Sequence, residues 1–107
     1  MIKISILYPN NPGARFDIGY YVDTHMPLAI ELLSAHPGFK GVSVERGIGG
    51  LISGAAAAHI AQCHFLFESK EDFMAAFTPN AAVLQADIPN YTNIEPVIEV
   101  NEVLLCR

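Results

Sequence analysis

The sequence predicts an α+β fold of the ferredoxin-like type, with elements in the order β-α-β-β-α-β and a four-stranded antiparallel sheet. Three observations predict it. Four short runs carry the Val, Ile and aromatic content of strands. Two longer segments carry helical apolar spacing. Clusters of proline, glycine and asparagine separate most of them. The 107 residues suffice for one domain over 1–107, and 51% of them are hydrophobic, so a real core can form. A chain this size still leaves much of its surface in water.

The first strand is expected over residues 2–8, with Ile2, Ile4, Ile6 and Tyr8 on one face and Lys3, Ser5 and Leu7 on the other. Pro9-Asn10-Asn11-Pro12-Gly13 breaks it. Asp17 is a good N-cap for the first helix. Winding the next segment at about 100° per residue puts Ile18, Tyr21, Val22, Leu28, Ala29, Leu32 and Leu33 on one apolar stripe, with His25 near its middle. Pro27 lies opposite the stripe. An interior proline costs about 3 kcal/mol, so a bend or a break into two pieces is expected, with the freed Asp23 carbonyl toward water. His36-Pro37-Gly38 ends the helix.

Val42–Arg46 reads as the second strand and Ile60–Phe67 as the third. Gly47–His59 between them is a long, glycine-rich, apolar loop, of a length that usually marks function or mobility. Ser69-Lys70-Glu71-Asp72 resembles a capping box with Asp for Glu, and opens a helix with Phe73, Met74 and Phe77 inward. Thr78 as cap and Pro79 at the first position restart a helix. Asp87–Asn93 forms an exit turn, and Pro96–Leu105 is the fourth strand. Both helices then cover one face of the sheet. The other face needs cover, most economically from a second copy, so a homodimer is expected.

Composition narrows the function classes. The net charge is −5 with six Lys and Arg, and no basic stripe exists, which argues against nucleic acid and against an anionic membrane surface. The N-terminus lacks a signal-peptide pattern and no run is long enough to span a bilayer, so the chain reads as cytoplasmic. Cys63 and Cys106 lie on separate expected strands and read as free thiols. No Cys or His pair has zinc-ligand spacing, and no metal is expected. No phosphate loop, dinucleotide fingerprint or nucleophile elbow is present; Gly47-Ile48-Gly49-Gly50 leads into a hairpin. The expected cofactor is none.

His25 has two readings. It is a core histidine donating to a backbone carbonyl, or it faces a pocket. An apolar cleft disfavours the imidazolium. A neutral imidazole can act as a general base on a phenol or on carbon beside a carbonyl. Tyr21, one turn earlier on the same face, either orients that ring, donates to a developing oxyanion, or simply packs. Tyr8, at the end of the first strand, would close the pocket from below. Leu28, Phe65 and Phe77 would supply its apolar, substrate-binding walls. This placement assumes that Ala61, Cys63, Phe65 and Phe67 face the helices. Gln62, His64 and Leu66 then face the partner sheet. Tyr20 points to the opposite side of the helix, with a minor role. Asp87 reads as a local cap for backbone amides, and Tyr91 shares its turn. His36 and His59 fall on solvated loops. Glu95, Glu99 and Glu102 read as surface groups.

The segment Tyr20-Tyr21-Val22-Asp23-Thr24-His25-Met26-Pro27-Leu28-Ala29 resembles a known signature: an aromatic pair, three residues, His, any residue, Pro, Leu. It belongs to the EthD family, named for a small protein of ethyl tert-butyl ether degradation. Gly47-Ile48-Gly49-Gly50 and Ala86-Asp87-Ile88-Pro89-Asn90-Tyr91-Thr92 resemble the same family. The resemblance spans essentially the whole chain. It implies a dimeric α/β barrel, two sheets packed face to face, with a pocket between each sheet and its helices. Some members are labelled reductases. Relatives on this barrel include polyketide cyclases, decarboxylases, monooxygenases and muconolactone isomerases, many of them cofactor-free. One departure stands out: Leu51–His59 is alanine-rich where members carry a proline-rich loop ending in an aromatic.

Two functions follow as expectations. One is a small cofactor-independent enzyme for an apolar or aromatic, carbonyl-bearing molecule, with His25 as base and Tyr21 as donor. The other is a non-catalytic protein that binds or delivers a small hydrophobic molecule to a separate oxidative system.

Overall fold

The computed structural model describes residues 1–107. Strands β1 (Ile2–Pro9), β2 (Phe39–Arg46), β3 (His59–Phe67) and β4 (Val97–Glu102) form one sheet in the order β2-β3-β1-β4, every pair antiparallel. The register sets the faces. Ile4 pairs with Phe65 and Ile6 with Cys63. Ile4, Tyr8, Ala61, Cys63, Phe65 and Phe67 are buried toward the helices. Ser5, Ser43, Glu45, Gln62, His64 and Leu66 alternate with them on the far face. The aromatic face of β3 thus meets the helices, the side assumed for it from the sequence.

Two strand boundaries differ from expectation by more than one residue. β2 starts at Phe39 rather than Val42. A register shift between Phe39 and Gly41 lets pairing continue, and the Phe39 ring packs edge-on against Phe67 at 5.6 Å. β4 stops at Glu102 rather than Leu105. Its partner β1 begins at Ile2, which pairs with Glu102, and beyond that pair a single backbone bond, from Val103 N–H to the Met1 carbonyl at 3.0 Å, continues the contact. Cys106 is therefore off the sheet and exposed; both thiols are free.

The first helical region runs as α1 (Ile18–Tyr20), a π-helical turn (Tyr21–His25) and α2 (Met26–Ser34). Asp17 caps it, its carboxylate accepting from Tyr20 N–H at 3.0 Å. The chain stays helical through Pro27. The Met26 N–H reaches back to the Tyr21 carbonyl, and Pro27 starts the next α-helix, where a missing N–H costs little. The wider turn also rotates everything after it. Met26, Ala29 and Leu33 are buried, Leu28 is only half-buried, and Val22, placed on the stripe by uniform helical spacing, is exposed.

Helix α3 (Lys70–Phe77) starts as expected, with Asp72 N–H donating to Ser69 Oγ. Phe73 packs on Phe67 and stacks on Phe77. Met74 is exposed and Ala76 takes the inner position. Thr78–Asn80 forms a 3-10 turn leading to α4 (Ala81–Asp87), and the Thr78 side chain makes no cap bond. A second 3-10 turn, Ile88–Asn90, follows directly. The 47–58 segment extends the β2–β3 hairpin as a narrow ribbon: Gly47 N–H donates to Ile60 O, and Gly50 N–H to Ala55 O. A Cβ at Gly47 would collide with the His59 carbonyl, so the ribbon needs glycine there. No helix is long and apolar enough to cross a membrane.

Candidate functional site

The exit turn is tied to the start of the first helix. Asp17 N–H donates to the Tyr91 carbonyl at 2.8 Å, and Phe16 bridges to Thr92. Thr92 Oγ1 donates to the Arg15 carbonyl at 2.7 Å, and Arg15 Nη2 to the Pro89 carbonyl at 3.0 Å. This docking lays Asp87, Asn90 and Tyr91 alongside Tyr20, Tyr21 and His25.

His25, 7% exposed, makes no bond to a backbone carbonyl. Its Nδ1 lies 2.8 Å from Asp87 Oδ2. An ionised carboxylate only accepts, so Nδ1 carries the hydrogen of this bond, which in the imidazole tautomer leaves Nε2 as an acceptor. Nε2 faces the Tyr91 hydroxyl at 3.4 Å. That hydroxyl lies 2.8 Å from the Tyr8 hydroxyl. The result is a hydrogen-bonded chain, Asp87–His25–Tyr91–Tyr8, drawn from four separate elements. Tyr21 stacks its ring on His25 at 5.8 Å and 13°. Its hydroxyl sits beside the Cys63 thiol instead of on the imidazole.

Asp87 is fixed from behind. Tyr20 OH donates to its Oδ1 at 2.6 Å and Asn90 Nδ2 donates to the same atom at 2.9 Å. Burial alone would raise the Asp87 pKa. The bonds from Tyr20, Asn90 and His25 outweigh it and hold the carboxyl below its ordinary 3.8, ionised at neutral pH. Burial pushes the Tyr8, Tyr21 and Tyr91 hydroxyls above their ordinary 10, and the Cys63 thiol up to about 12. All four therefore keep their protons at neutral pH and serve as donors.

The chain of polar groups opens onto a cavity of about 280 Å³ between sheet and helices. Tyr8, Tyr21, His25, Tyr91 and Cys63 line its polar end; Ile6, Met26, Ala29, Phe65, Phe73, Phe77, Leu84 and Ile88 form apolar walls. Exposed Gln85, Glu95 and Ile98 mark its mouth. Of the residues read from the sequence, Tyr8, Tyr21, His25, Phe65 and Phe77 come together here. Leu28 does not line the cavity, because the π-helical turn swings Met26 and Ala29 into the place that uniform spacing gives it.

Sequence reasoning misses Asp87, Tyr91 and Tyr20. Asp87 binds side chains instead of capping local amides, and Tyr20 is part of the site through Asp87 rather than turned away from it. A signal existed in the i, i+4 spacing of Asp87 and Tyr91 across a helical exit turn. Their partner helix could not be read from it. Elsewhere, His64 lies on the far sheet face between Ser5 Oγ at 2.8 Å and Glu45 Oε1 at 3.3 Å. His36 accepts from Gly38 N–H, and His59 begins β3. No three metal-ligating side chains come together.

The EthD domain model matches residues 15–95. An EthD-like protein from Ralstonia eutropha is 42% identical, with 99% of this chain and 94% of that one covered and a TM-score of 0.91. An EthD family protein from Bacillus halodurans shares the fold at 18% identity, 97% and 99% coverage and a TM-score of 0.65. So does SnoaB, a cofactor-independent oxygenase from Streptomyces nogalater, at 10% identity, 98% and 94% coverage and a TM-score of 0.64. No curated protein matches the chain.

Proposed function

This chain belongs to the EthD family, and on that premise we propose that its cavity binds an apolar or aromatic carbonyl compound on which His25 acts as general base. The observation that carries the reading is the Asp87–His25–Tyr91 chain opening onto an apolar cavity. Asp87 orients the imidazole and steadies the cation formed when Nε2 takes a proton. The proton leaves carbon beside the carbonyl, and the C–H electron pair moves toward the carbonyl oxygen. The Tyr91 and Tyr8 hydroxyls are the donors for that developing charge. Return of the proton from Nε2 to a different carbon gives isomerase chemistry; attack of the enolate carbon on a second carbonyl of the same ligand, whose oxygen takes the C=O electron pair and then the proton from Nε2, gives cyclase chemistry. These steps use only side chains of this chain.

Deuterium uptake beside the carbonyl of 2-tetralone in D₂O, followed by proton NMR, tests the reading. The wild-type protein is expected to accelerate exchange, and His25→Gln to lose about a hundredfold or more of that acceleration. Equal rates for the two proteins would remove His25 from the role of base. Binding without any exchange would instead favour a carrier that delivers its ligand to another enzyme.

The proposed working unit is a homodimer that covers the far face of the sheet. That face has no cover within the chain, and it carries Leu7 and Leu66 among a half-buried polar row.

A further inference from the structure

We infer that the cavity accepts uncharged or cationic ligands and rejects anions, and that Glu95 sets this preference. The inference rests on the proposed use of the cavity and names the class of molecule that enters it. Six Lys and Arg residues exist in the chain, and none lines this cavity. Lys3 borders a hollow on the opposite face of the sheet. Lys40 pairs with Glu68 at 3.2 Å, and Arg15 is committed to the Pro89 carbonyl. Glu95 is the one acidic side chain in the cavity lining, exposed at the mouth beside Pro96.

The inner end repeats that sign. Behind His25 stands Asp87, held ionised by three donors. A ligand carboxylate, sulfonate or phosphate would give up its water between phenylalanine and aliphatic walls, meet no Lys or Arg side chain, and have the Glu95 carboxylate at the mouth and the Asp87 carboxylate behind His25. A neutral ligand with one carbonyl or phenolic hydroxyl suffers neither cost. Its oxygen meets Tyr91 at the inner end. A hydroxyl or ammonium at its outer end finds an acceptor in Glu95. The cavity therefore fits an uncharged aromatic or alicyclic ketone or phenol that carries its second polar group, if any, at the mouth.

Three probes of one shape isolate charge: 2-naphthol, 2-naphthoate and 2-naphthylmethylammonium, titrated calorimetrically at neutral pH into wild type, Glu95→Gln and Glu95→Lys. Glu95 is exposed, so thermal melts of the variants should match wild type. Wild type is expected to bind the naphthol and the ammonium compound, and the naphthoate at least about tenfold more weakly. Glu95→Gln narrows the gap, and Glu95→Lys puts the naphthoate ahead of the ammonium compound. Naphthoate binding to wild type as tightly as naphthol, or an unchanged order in Glu95→Lys, overturns the charge assignment while leaving His25 as base untouched. Failure of all three to bind overturns the inference together with the cavity reading beneath it.

Discussion

Asp87 shows how three weak donors fix one strong property. Its folded carboxyl titrates below the ordinary 3.8, so on acidification the unfolded chain takes up a proton before the folded chain does. The stabilisation is complete above about pH 4 and is lost as pH falls through the lowered value. Tyr20→Phe removes the shortest of the donors, at 2.6 Å. The acid limb of its stability curve is then expected to move up toward pH 4, and Asp87→Asn is expected to erase that part of the limb. Thermal midpoints of the three proteins between about pH 2 and pH 7 check this. Superimposable acid limbs would mean that Asp87 is not held by this network. The sequence does not pair Tyr20 with Asp87: Asp87 reads as a local cap and Tyr20 as turned to the opposite side of its helix, and their contact spans 67 positions.

At the scale of elements, the π-helical turn decides which side chains build the cavity. Helical periodicity correctly finds Tyr21, His25, Ala29 and Leu33, because residues on either side of the turn each keep their own regular spacing. It misplaces Leu28 because it assumes a constant twist through Pro27, and Val22, inside the turn itself, is exposed. Proline cannot supply an N–H, and its ring crowds the carbonyl four residues earlier; the wider turn relieves both. The rotation has a measurable consequence. Met26→Ala, at a site 4% exposed, is expected to cost about 2–5 kcal/mol and to weaken naphthol binding. Leu28→Ala is expected to cost clearly less and to leave binding unchanged. Denaturant unfolding and calorimetry read both, and a Leu28 effect equal to that of Met26 would refute the rotated register. The strands were easier to read. Period-2 alternation groups Ala61, Cys63, Phe65 and Phe67 on one face, and the structure turns that face to the helices. Their ends were not legible, since β4 stops where its neighbour does and β2 starts early through a bulge.

For the whole molecule, the β-α-β-β-α-β order in the sequence leads directly to the sheet order β2-β3-β1-β4. The same order leaves one sheet face open. The proposed dimer predicts a native mass of twice 11.6 kDa for wild type. Leu66→Asp would put a charge on that face, near the end of β3 and opposite Lys3, and is expected to give monomers with unchanged circular dichroism. A wild-type monomer by native mass spectrometry would remove the dimer from the proposal.

The four members of the polar chain come from far-apart places: Tyr8 and Tyr91 are 83 residues apart, His25 and Tyr91 66, and His25 and Asp87 62. Local folding during synthesis can form β1 and the first helix early, but it cannot aim the imidazole. Contacts of such long sequence separation close late. On the ribosome, where the N-terminal part emerges first, a nascent chain that has reached α3 holds His25 with no carboxylate beside it. The proposed base is therefore oriented only when the exit turn docks, and a chain interrupted before Asp87 would lack the carboxylate that orients it.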